Sequence, residues 1–433
     1  MRARGTPFPT IWRSISALVL VGAPAARAQP AAADVPPLTE EQYVERVLAG
    51  SLEARIAESE AALGRAEAVG AGLWPNPSAE WQRQSAGSPG VSGERQDVLV
   101  ASIPLVLSGR LGLERDAAAQ GALAAQARAD RARAELRWQA VRAFSAVLAA
   151  RERRAALGAS LDALDRLARV VEVRERAGEA AGYDRLRIEV ERASVAGQLR
   201  IAAGIERRAA TEALRLLGPS TQTLPPLQGS LPAERRFPEM SILLSEMESR
   251  RADARALELE AKGAETARRA AARGWIPDPT VTAGAQFLDS GPAGPSTGYV
   301  VGLSLPLPLF QRRQGEEARA EANRNLVQAR RSLLLHAGRS RLVTAFNDVA
   351  SRREQLARHR SEVLARTEEL RRIAAAAYRG GASDLLVLVD AERAARESQL
   401  TGVDLGLAVV EAETDLLLLS GAYDGAQNRS AAR

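Results

Sequence analysis

The chain has 433 residues, of which 46% are hydrophobic and 4% aromatic, with a formal net charge of +6 and no cysteine. The absence of cysteine excludes disulfides and thiolate metal sites. Basic residues interleave with acidic ones, as in the run from Arg151 to Arg154, which is typical of solvated helix faces and not of a nucleic-acid-binding surface. With two separated histidines, His336 and His359, and no glycine-rich phosphate loop, the chain predicts neither an enzyme nor a cofactor.

The first 28 residues have the organisation of a secretory signal peptide. Three arginines precede an apolar run over 15–21, and Ala26-Arg27-Ala28 supplies small residues for cleavage after Ala28. No later apolar run is long enough to form a membrane-spanning helix. We therefore expect the exported protein to be either periplasmic or an outer-membrane barrel.

The rest of the chain is duplicated. Four landmarks recur in the same order at nearly constant spacing: Pro75 and Pro104 return 202 residues later as Pro277 and Pro306, and Gly178 and Gly218 return 203 residues later as Gly381 and Gly421. The duplication predicts a first structural repeat over 29–218, a linker over 219–240, a second repeat over 241–421 and a disordered tail over 422–433.

Each repeat is predicted to begin with a helix and a β-hairpin. The first helix is expected over 39–73, with a capping box formed by Thr39 and Gln42. The hairpins are expected at about 78–107 and 279–308, because prolines interrupt the helical pattern there. The prolines that mark the transitions between helix and strand are Pro75, Pro77, Pro104, Pro277, Pro279 and Pro306.

The hairpin strands alternate between apolar residues and small or polar residues, most clearly in the second repeat. A pair of soluble hairpins would show this pattern, and so would the strands of a transmembrane β-barrel. The residues expected to face a lumen are Thr280, Thr282, Gly284, Gln286, Gly302 and Ser304.

Long helices follow each hairpin, over 109–177 and 312–379. In the second helix the apolar seam recurs every seven residues, at Leu342, Val349, Leu356, Val363 and Leu370, which predicts coiled-coil packing. A helix of this size spans ~100 Å. The chain is then expected to turn back at the glycines Gly178, Gly182, Gly380 and Gly381. The first returning helix, over 183–217, is expected to stack end to end with the helix over 39–73, beside the long helix.

Four strands cannot close a barrel, and an open sheet edge cannot face lipid. Two copies would supply eight strands around a filled interior, whereas three copies would supply twelve around a water-filled lumen. The small and polar faces of the strands favour three.

The repeated Pro-Asn/Asp-Pro, Pro-Leu-x-Leu and glycine-turn motifs resemble those of the TolC-type outer-membrane efflux family over nearly the whole mature chain. The segment from Leu305 to Phe310, with Arg312, Arg313 and Gly315, is similar to the subgroup that serves cobalt-zinc-cadmium type cation-efflux pumps. The resemblance implies a mainly α chain with membrane β structure: a trimeric 12-stranded β-barrel continued by an α-helical coiled-coil tunnel. It places the barrel in the outer membrane and the tunnel in the periplasm.

The same resemblance implies partners and a gate. The partners are a homotrimer, outer-membrane lipid, a periplasmic adaptor (membrane fusion) protein and an inner-membrane pump of the RND type. Asp390, Tyr378 and Asp184 match the family's gate pattern at the periplasmic tip, and Tyr378 is expected to hydrogen bond to Asp184. A second acidic ring is in doubt because its position holds Val387.

Two other functions remain open from the sequence. One is a soluble periplasmic coiled-coil scaffold or adaptor, and the other is an outer-membrane channel for type I protein secretion. The sequence does not specify the exported solute. Export of heavy-metal cations is implied only by the resemblance to the cation-efflux subgroup.

Overall fold

The computed structural model describes residues 36–86, 93–177, 182–231, 235–289 and 294–424. The predicted signal peptide, the turn glycine Gly178 and the tail from residue 425 onward lie outside these ranges. Along the described chain, no helix joins the length and apolar character that crossing a bilayer demands.

The described elements follow the predicted order of helix, hairpin and long helical hairpin, twice. The helices are α1 (Glu40–Gly50), α2 (Leu52–Gly70), α3 (Arg110–Arg176), α4 (Gly182–Leu216), α5 (Met240–Arg250), α6 (Ala252–Ala271), α7 (Gln314–Arg358), α8 (Ala365–Arg379) and α9 (Leu385–Leu419). A π-helical segment, His359–Leu364, joins α7 to α8. The strands are β1 (Ser78–Ala86), β2 (Glu94–Pro104), β3 (Thr280–Asp289) and β4 (Pro295–Ser304).

The predicted first helix over 39–73 is wrong in one respect, because it is two helices. The capping box at Thr39 is present, but Ser51 is extended (φ −72°, ψ 151°) and its hydroxyl accepts a hydrogen bond from the amide of Ala54. The break makes room for the end of α4. A Cβ at Gly218 would lie 2.1 Å from the carbonyl oxygen of Gly50, so only glycine permits this approach.

The break also changes which helices stack. Since α4 ends against Gly50, it is α2, and not the whole predicted helix, that meets α4 end to end, and both pack along α3. Helix α1 instead lies beside the last turns of α4, where the Tyr43 hydroxyl donates to the Ala213 carbonyl at 2.7 Å. The second repeat breaks likewise at Arg251, between α5 and α6.

The linker and the start of the predicted tail are partly ordered. Leu38 forms a parallel bridge with Leu227, so the linker packs against the core around α1 and α3. Residues 422–424 form a turn, and the Asp424 carboxylate accepts from the amide of Ala252 at 3.3 Å. The predicted disordered tail is therefore wrong for these three residues.

The heptad seam of the second long helix is also only partly as predicted. Leu342, Val349 and Leu356 are buried, but Val363 and Leu370 are 43% and 49% exposed. A π turn holds one residue more than an α turn, so the π-helical segment moves the seam by one position. Downstream of it the inward positions are seven apart again, ending at the buried Tyr378.

The four strands form one antiparallel sheet in the order β1-β2-β3-β4. Ser78 lies opposite Ser102 in the first hairpin and Thr280 opposite Ser304 in the second. Between the hairpins, Pro104 lies opposite Thr280. The strands have 9, 11, 10 and 10 residues, which is the length of a transmembrane β-strand.

Candidate functional site: a two-faced sheet and a helical tip

One face of the sheet is apolar and open to its surroundings on the side nearer the helices, and nearer the hairpin loops it carries the Arg83–Asp97 ion pair. Trp81, Leu99, Ala285 and Tyr299 are successive cross-strand neighbours on this face, and Tyr299 is 86% exposed. The next row of the same face contains Ala79, Ala101, Ala283 and Val301. Because an exposed apolar band of this kind is unfavourable in water, the face requires an apolar environment.

The opposite face is mostly small and polar, although Val98, Val100 and Val300 also lie on it. All six residues expected to face a lumen lie on it, because they occupy the alternate positions of β3 and β4. Ser102 and Thr282 pair across β2 and β3 there, with their hydroxyl oxygens 3.0 Å apart. The sheet therefore separates an apolar surface from a hydrophilic one.

The prolines lie where the helices give way to the sheet. Pro75 and Pro77 separate α2 from β1, Pro277 and Pro279 separate α6 from β3, Pro104 ends β2 and Pro306 follows β4. An ion pair closes this junction within the chain, since Arg110 at the start of α3 donates to Asp278 at 3.0 Å. The junction thus fixes the long helix relative to the neighbouring hairpin.

The two long helices begin in the left-handed backbone region. Gly109 precedes α3 with φ 68°, and Arg313 precedes α7 with φ 58°. Glycine adopts this conformation freely, whereas arginine is strained in it. The second repeat therefore keeps the geometry of the first with a less suitable residue.

The tip turn of the second repeat is closed by glycine. The amide of Gly380 donates to the Ala376 carbonyl at 3.0 Å, and the amide of Ala382 donates to the Ala377 carbonyl at 2.9 Å. Between them Gly381 has φ 74°, which is the usual backbone of a glycine helix end. In the first repeat, Gly182 begins α4.

The three predicted gate residues lie near the tip in different surroundings. Tyr378 is buried, and the guanidinium carbon of Arg174 lies 4.6 Å from the centroid of its ring. Asp390 is half-exposed, 3.7 Å from Arg187, and Asp184 is partly buried in the first turn of α4. Among the described residues of one chain, the Tyr378 hydroxyl makes no hydrogen bond to Asp184, so that bond stays a prediction for the assembled protein.

A buried ionic cluster above the tip was missed by the sequence reasoning. Glu191 of α4 accepts from Arg393 at 2.6 Å and from Arg396 at 2.9 Å, both on α9. Arg396 also reaches the Ser160 hydroxyl of α3 at 3.5 Å. Burial alone would raise the pKa of Glu191, but the two guanidinium groups outweigh it and hold the pKa below the usual range. We call Glu191, Arg393 and Arg396 the Glu191 cluster; it joins the two helical hairpins.

A second buried carboxylate ties the linker to the helices. Glu413 of α9 is fully buried and accepts from Arg353 at 2.9 Å, with Arg235 of the linker 3.7 Å away. Burial raises the pKa of Glu413 despite these two cations. Within the described ranges, His, Asp and Glu form no group of three placed to hold a metal ion.

The sequence is similar to that of known efflux proteins. Residues 243–422 match the family described as outer membrane efflux protein. Over 306 residues the chain is 27% identical to the cobalt-zinc-cadmium resistance protein CzcC of Cupriavidus metallidurans, covering 67% of this chain and 69% of the relative.

Solved outer-membrane channels have the same fold. CusC superposes with a TM-score of 0.76 at 19% identity, over 91% of this chain and 95% of that chain. The CmeC outer membrane channel of Campylobacter jejuni superposes with a TM-score of 0.74 at 15% identity, over 88% and 85% of the two chains. These similarities confirm the predicted fold class of a mainly α chain with a small four-stranded sheet.

Proposed function

We propose that this chain, whose residues 243–422 form an outer membrane efflux protein domain, is the outer-membrane channel of a tripartite efflux system. One observation carries the proposal: the sheet has an exposed apolar face, a mostly small and polar face and two edges that no described strand of the chain covers. In a bilayer the apolar face contacts lipid, and the polar face lines an aqueous passage. The helices continue this passage into the periplasm.

The barrel closes by association of three copies. Twelve strands of about ten residues enclose a water-filled lumen, whereas eight would be filled by side chains. The lumen face supports the wider barrel, because most of its residues are small or polar. Helix α3, with 67 residues, then reaches ~100 Å below the membrane.

The passage is gated at its periplasmic tip by Asp390, Tyr378 and Asp184. Three copies of Asp390 form an acidic ring that attracts cations, and each Asp390 lies 3.7 Å from Arg187 of its own chain, which holds α9 against α4. A hydrogen bond from Tyr378 to Asp184 holds the tip closed.

The tip turns at Gly178, Gly182, Gly380 and Gly381 are the docking surface for a periplasmic adaptor, which in turn engages an inner-membrane pump of the RND type. The exported solutes include heavy-metal cations. This part of the proposal is supported by the similarity to CzcC, whose name describes cobalt-zinc-cadmium resistance.

The channel is tested on the detergent-extracted mature protein. We expect three-fold rings in end view, cylinders longer than ~100 Å in side view, and stepwise conductance in planar bilayers. Monomeric rods released with the periplasmic fraction would instead indicate a soluble scaffold. For the cargo, cells lacking the chain should become sensitive to Co²⁺, Zn²⁺ and Cd²⁺; loss of protein secretion with unchanged metal tolerance would indicate type I secretion.

The gate is tested by single-channel conductance of Tyr378→Phe and Asp390→Ala. Both variants are expected to open more often, and Asp390→Ala is expected to lower cation selectivity. Asp404→Ala is the matched control, since Asp404 is an exposed α9 carboxylate paired with Arg153, away from the tip. Unchanged conductance in both gate variants would remove these residues from the gate.

A further inference from the structure

Arg174 joins the two helical hairpins of the chain near the tip. It lies in the last turn of α3, which belongs to the first hairpin. Its guanidinium donates to the carbonyl oxygen of Tyr378 at 3.0 Å and to that of Arg379 at 3.4 Å, and α8 of the second hairpin ends at Arg379. The last carbonyl groups of a helix have no partner within it, and a cation is favourable at that end. Arg174 therefore caps α8 from the other hairpin.

The same guanidinium also contacts the side chain of Tyr378. Its carbon lies 4.6 Å from the centroid of the ring, and the buried ring packs in the apolar core that α3, α4 and α9 share near the tip. A planar guanidinium can lie against an aromatic ring and donate several hydrogen bonds, whereas a lysine ammonium is a compact point charge. Arg174 thus holds both the backbone and the ring of Tyr378.

The two repeats differ at this contact. The turn glycines Gly178 and Gly381 are 203 residues apart, so Arg174 corresponds to Ala377 and Tyr378 corresponds to Glu175. Neither half of the contact occurs in the other repeat. The duplicated fold therefore does not by itself require the contact, which points to a role specific to the second tip turn.

The segment that Arg174 holds leads directly into the gate. The amide of Gly381 donates to the Tyr378 carbonyl at 3.2 Å, and Gly381 has the left-handed backbone that turns the chain. Helix α9 begins after this turn with the buried Leu385 and carries Asp390. A displacement of Tyr378 would therefore move the turn and the start of the helix that carries Asp390.

We infer that Arg174 is a positioning residue of the gate: it clamps the end of α8 to α3 of the same chain and keeps Tyr378 in place while the tip is closed. The inference rests on the proposed gating at the tip, and it adds a contact that must release α8 before the tip opens. In this role Arg174 acts on the gate through Tyr378 and the turn that follows it.

Single-channel recordings of the full chain in planar bilayers test the clamp. Arg174→Gln removes the charge, and we expect the ratio of open to closed time to rise about tenfold, as for the loss of one hydrogen bond from a charged group. Arg174→Lys keeps a charged donor without the planar group and should give a smaller rise.

The matched control is Arg176→Gln. Arg176 lies in the same last turn of α3, its side chain is 74% exposed, and it pairs with Glu172 of its own helix. The ratio of open to closed time in this variant should stay within about twofold of wild type.

Two substitutions of Tyr378 separate positioning from a general loss of stability. Tyr378→Phe keeps the ring beside Arg174, so Arg174→Gln should raise the ratio by the same factor in this background as in wild type. Tyr378→Leu removes the ring. In this second background the factor should fall to about threefold, because only the contacts to the carbonyl groups remain.

Hydrogen exchange in the detergent-solubilised protein supplies a measurement that does not require a conducting channel. The amides of Gly380 and Ala382 close the turn after Tyr378. Their exchange should be about tenfold faster in Arg174→Gln and unchanged in Arg176→Gln.

An unchanged ratio of open to closed time in Arg174→Gln, with a wild-type protein that conducts, would overturn the clamp and leave the channel standing. So would unchanged exchange of the two turn amides. An equal rise in Arg176→Gln would assign the effect to the charge of the tip, and equal factors in the phenylalanine and leucine backgrounds would show that Arg174 does not act through the ring. A trimeric wild-type protein that conducts no ions would overturn the proposed function itself.

Discussion

Replacing Glu191 with alanine is expected to loosen the contact between α4 and α9 near the tip. In the structure Glu191 is the shared partner of two arginines, and it lies between the buried residues Ile188 and Val195 on the inward seam of α4. Removing it leaves Arg396 buried with only the Ser160 hydroxyl at 3.5 Å. Arg393 is half-exposed and regains water.

The size of the effect follows from the burial. Removing one partner of a buried ion pair costs about 3–5 kcal/mol, because the remaining charge has no compensation. At about 1.4 kcal/mol per tenfold change, locally open states should become at least ~100-fold more populated. The control is Glu189→Ala on the same helix. Its exposed carboxylate lies 4.0 Å from Arg185, so it should change stability by less than ~1 kcal/mol.

Hydrogen exchange of α4 and α9 amides in the detergent-solubilised protein measures this opening. The pKa of Glu191 is lowered in the folded state, so its contribution is present above the ordinary glutamate value of 4.5 and is lost as the pH falls through the lowered pKa. The protection of α4 and α9 amides from exchange should therefore fall in acid in the wild-type protein. In Glu191→Ala this acid-dependent loss of protection should be absent. Exchange within about threefold of wild type in Glu191→Ala would refute the reasoning.

Three further predictions concern the turn and the junctions. Gly381→Ala should destabilise the tip turn by about 1 kcal/mol because of its positive φ, seen as faster amide exchange there, whereas Gly380→Ala, with φ −76°, should not. Arg313→Val should be about 1–2 kcal/mol less stable to denaturant than Arg313→Gly; equal midpoints would show that the left-handed backbone before α7 relaxes at no cost. Asn76 is the repeat counterpart of Asp278, and Gln314 begins α7 as Arg110 begins α3. Asn76→Asp with Gln314→Arg should therefore form, between neighbouring copies of the proposed channel, the counterpart of the Arg110–Asp278 ion pair. The assembly of the double variant should dissociate at a higher temperature than the summed effects of the two single variants give, with a coupling energy of about 0.5–1 kcal/mol. Additive effects of the single variants would show that the two residues do not contact each other.

The strands and long helices were predictable because their signals are local. The prolines located both hairpins to within four residues, and the predicted long helices over 109–177 and 312–379 match α3 and the helical stretch from 314 to 379. The 202-residue spacing even anticipated that the hairpins would be equivalent. The mainly α class with a small antiparallel sheet followed from these elements together.

The misses have tertiary causes. The break at Ser51 arises from the approach of Gly218 to Gly50, which no local pattern in 39–73 reveals. The heptad continues in the sequence through Val363 and Leu370, but the π-helical segment turns both outward. The Glu191 cluster could have been suspected from one feature of the sequence, since Glu191 is a charged residue in the apolar seam of α4 between Ile188 and Val195.

Because of the π-helical segment, the inward-facing side of the second long helix is set separately before and after residues 359–364. One residue more or less in an α-helix rotates everything beyond it by about 100°. Upstream of the segment, the heptad ending at Leu356 faces α9. Continued unchanged, that heptad would turn Ala377 inward, but the added rotation turns Tyr378 inward instead, where it packs beneath Arg174. The orientation of the last turns can thus be reset by a single insertion or deletion at 359–364, without changing how α7 packs upstream of it.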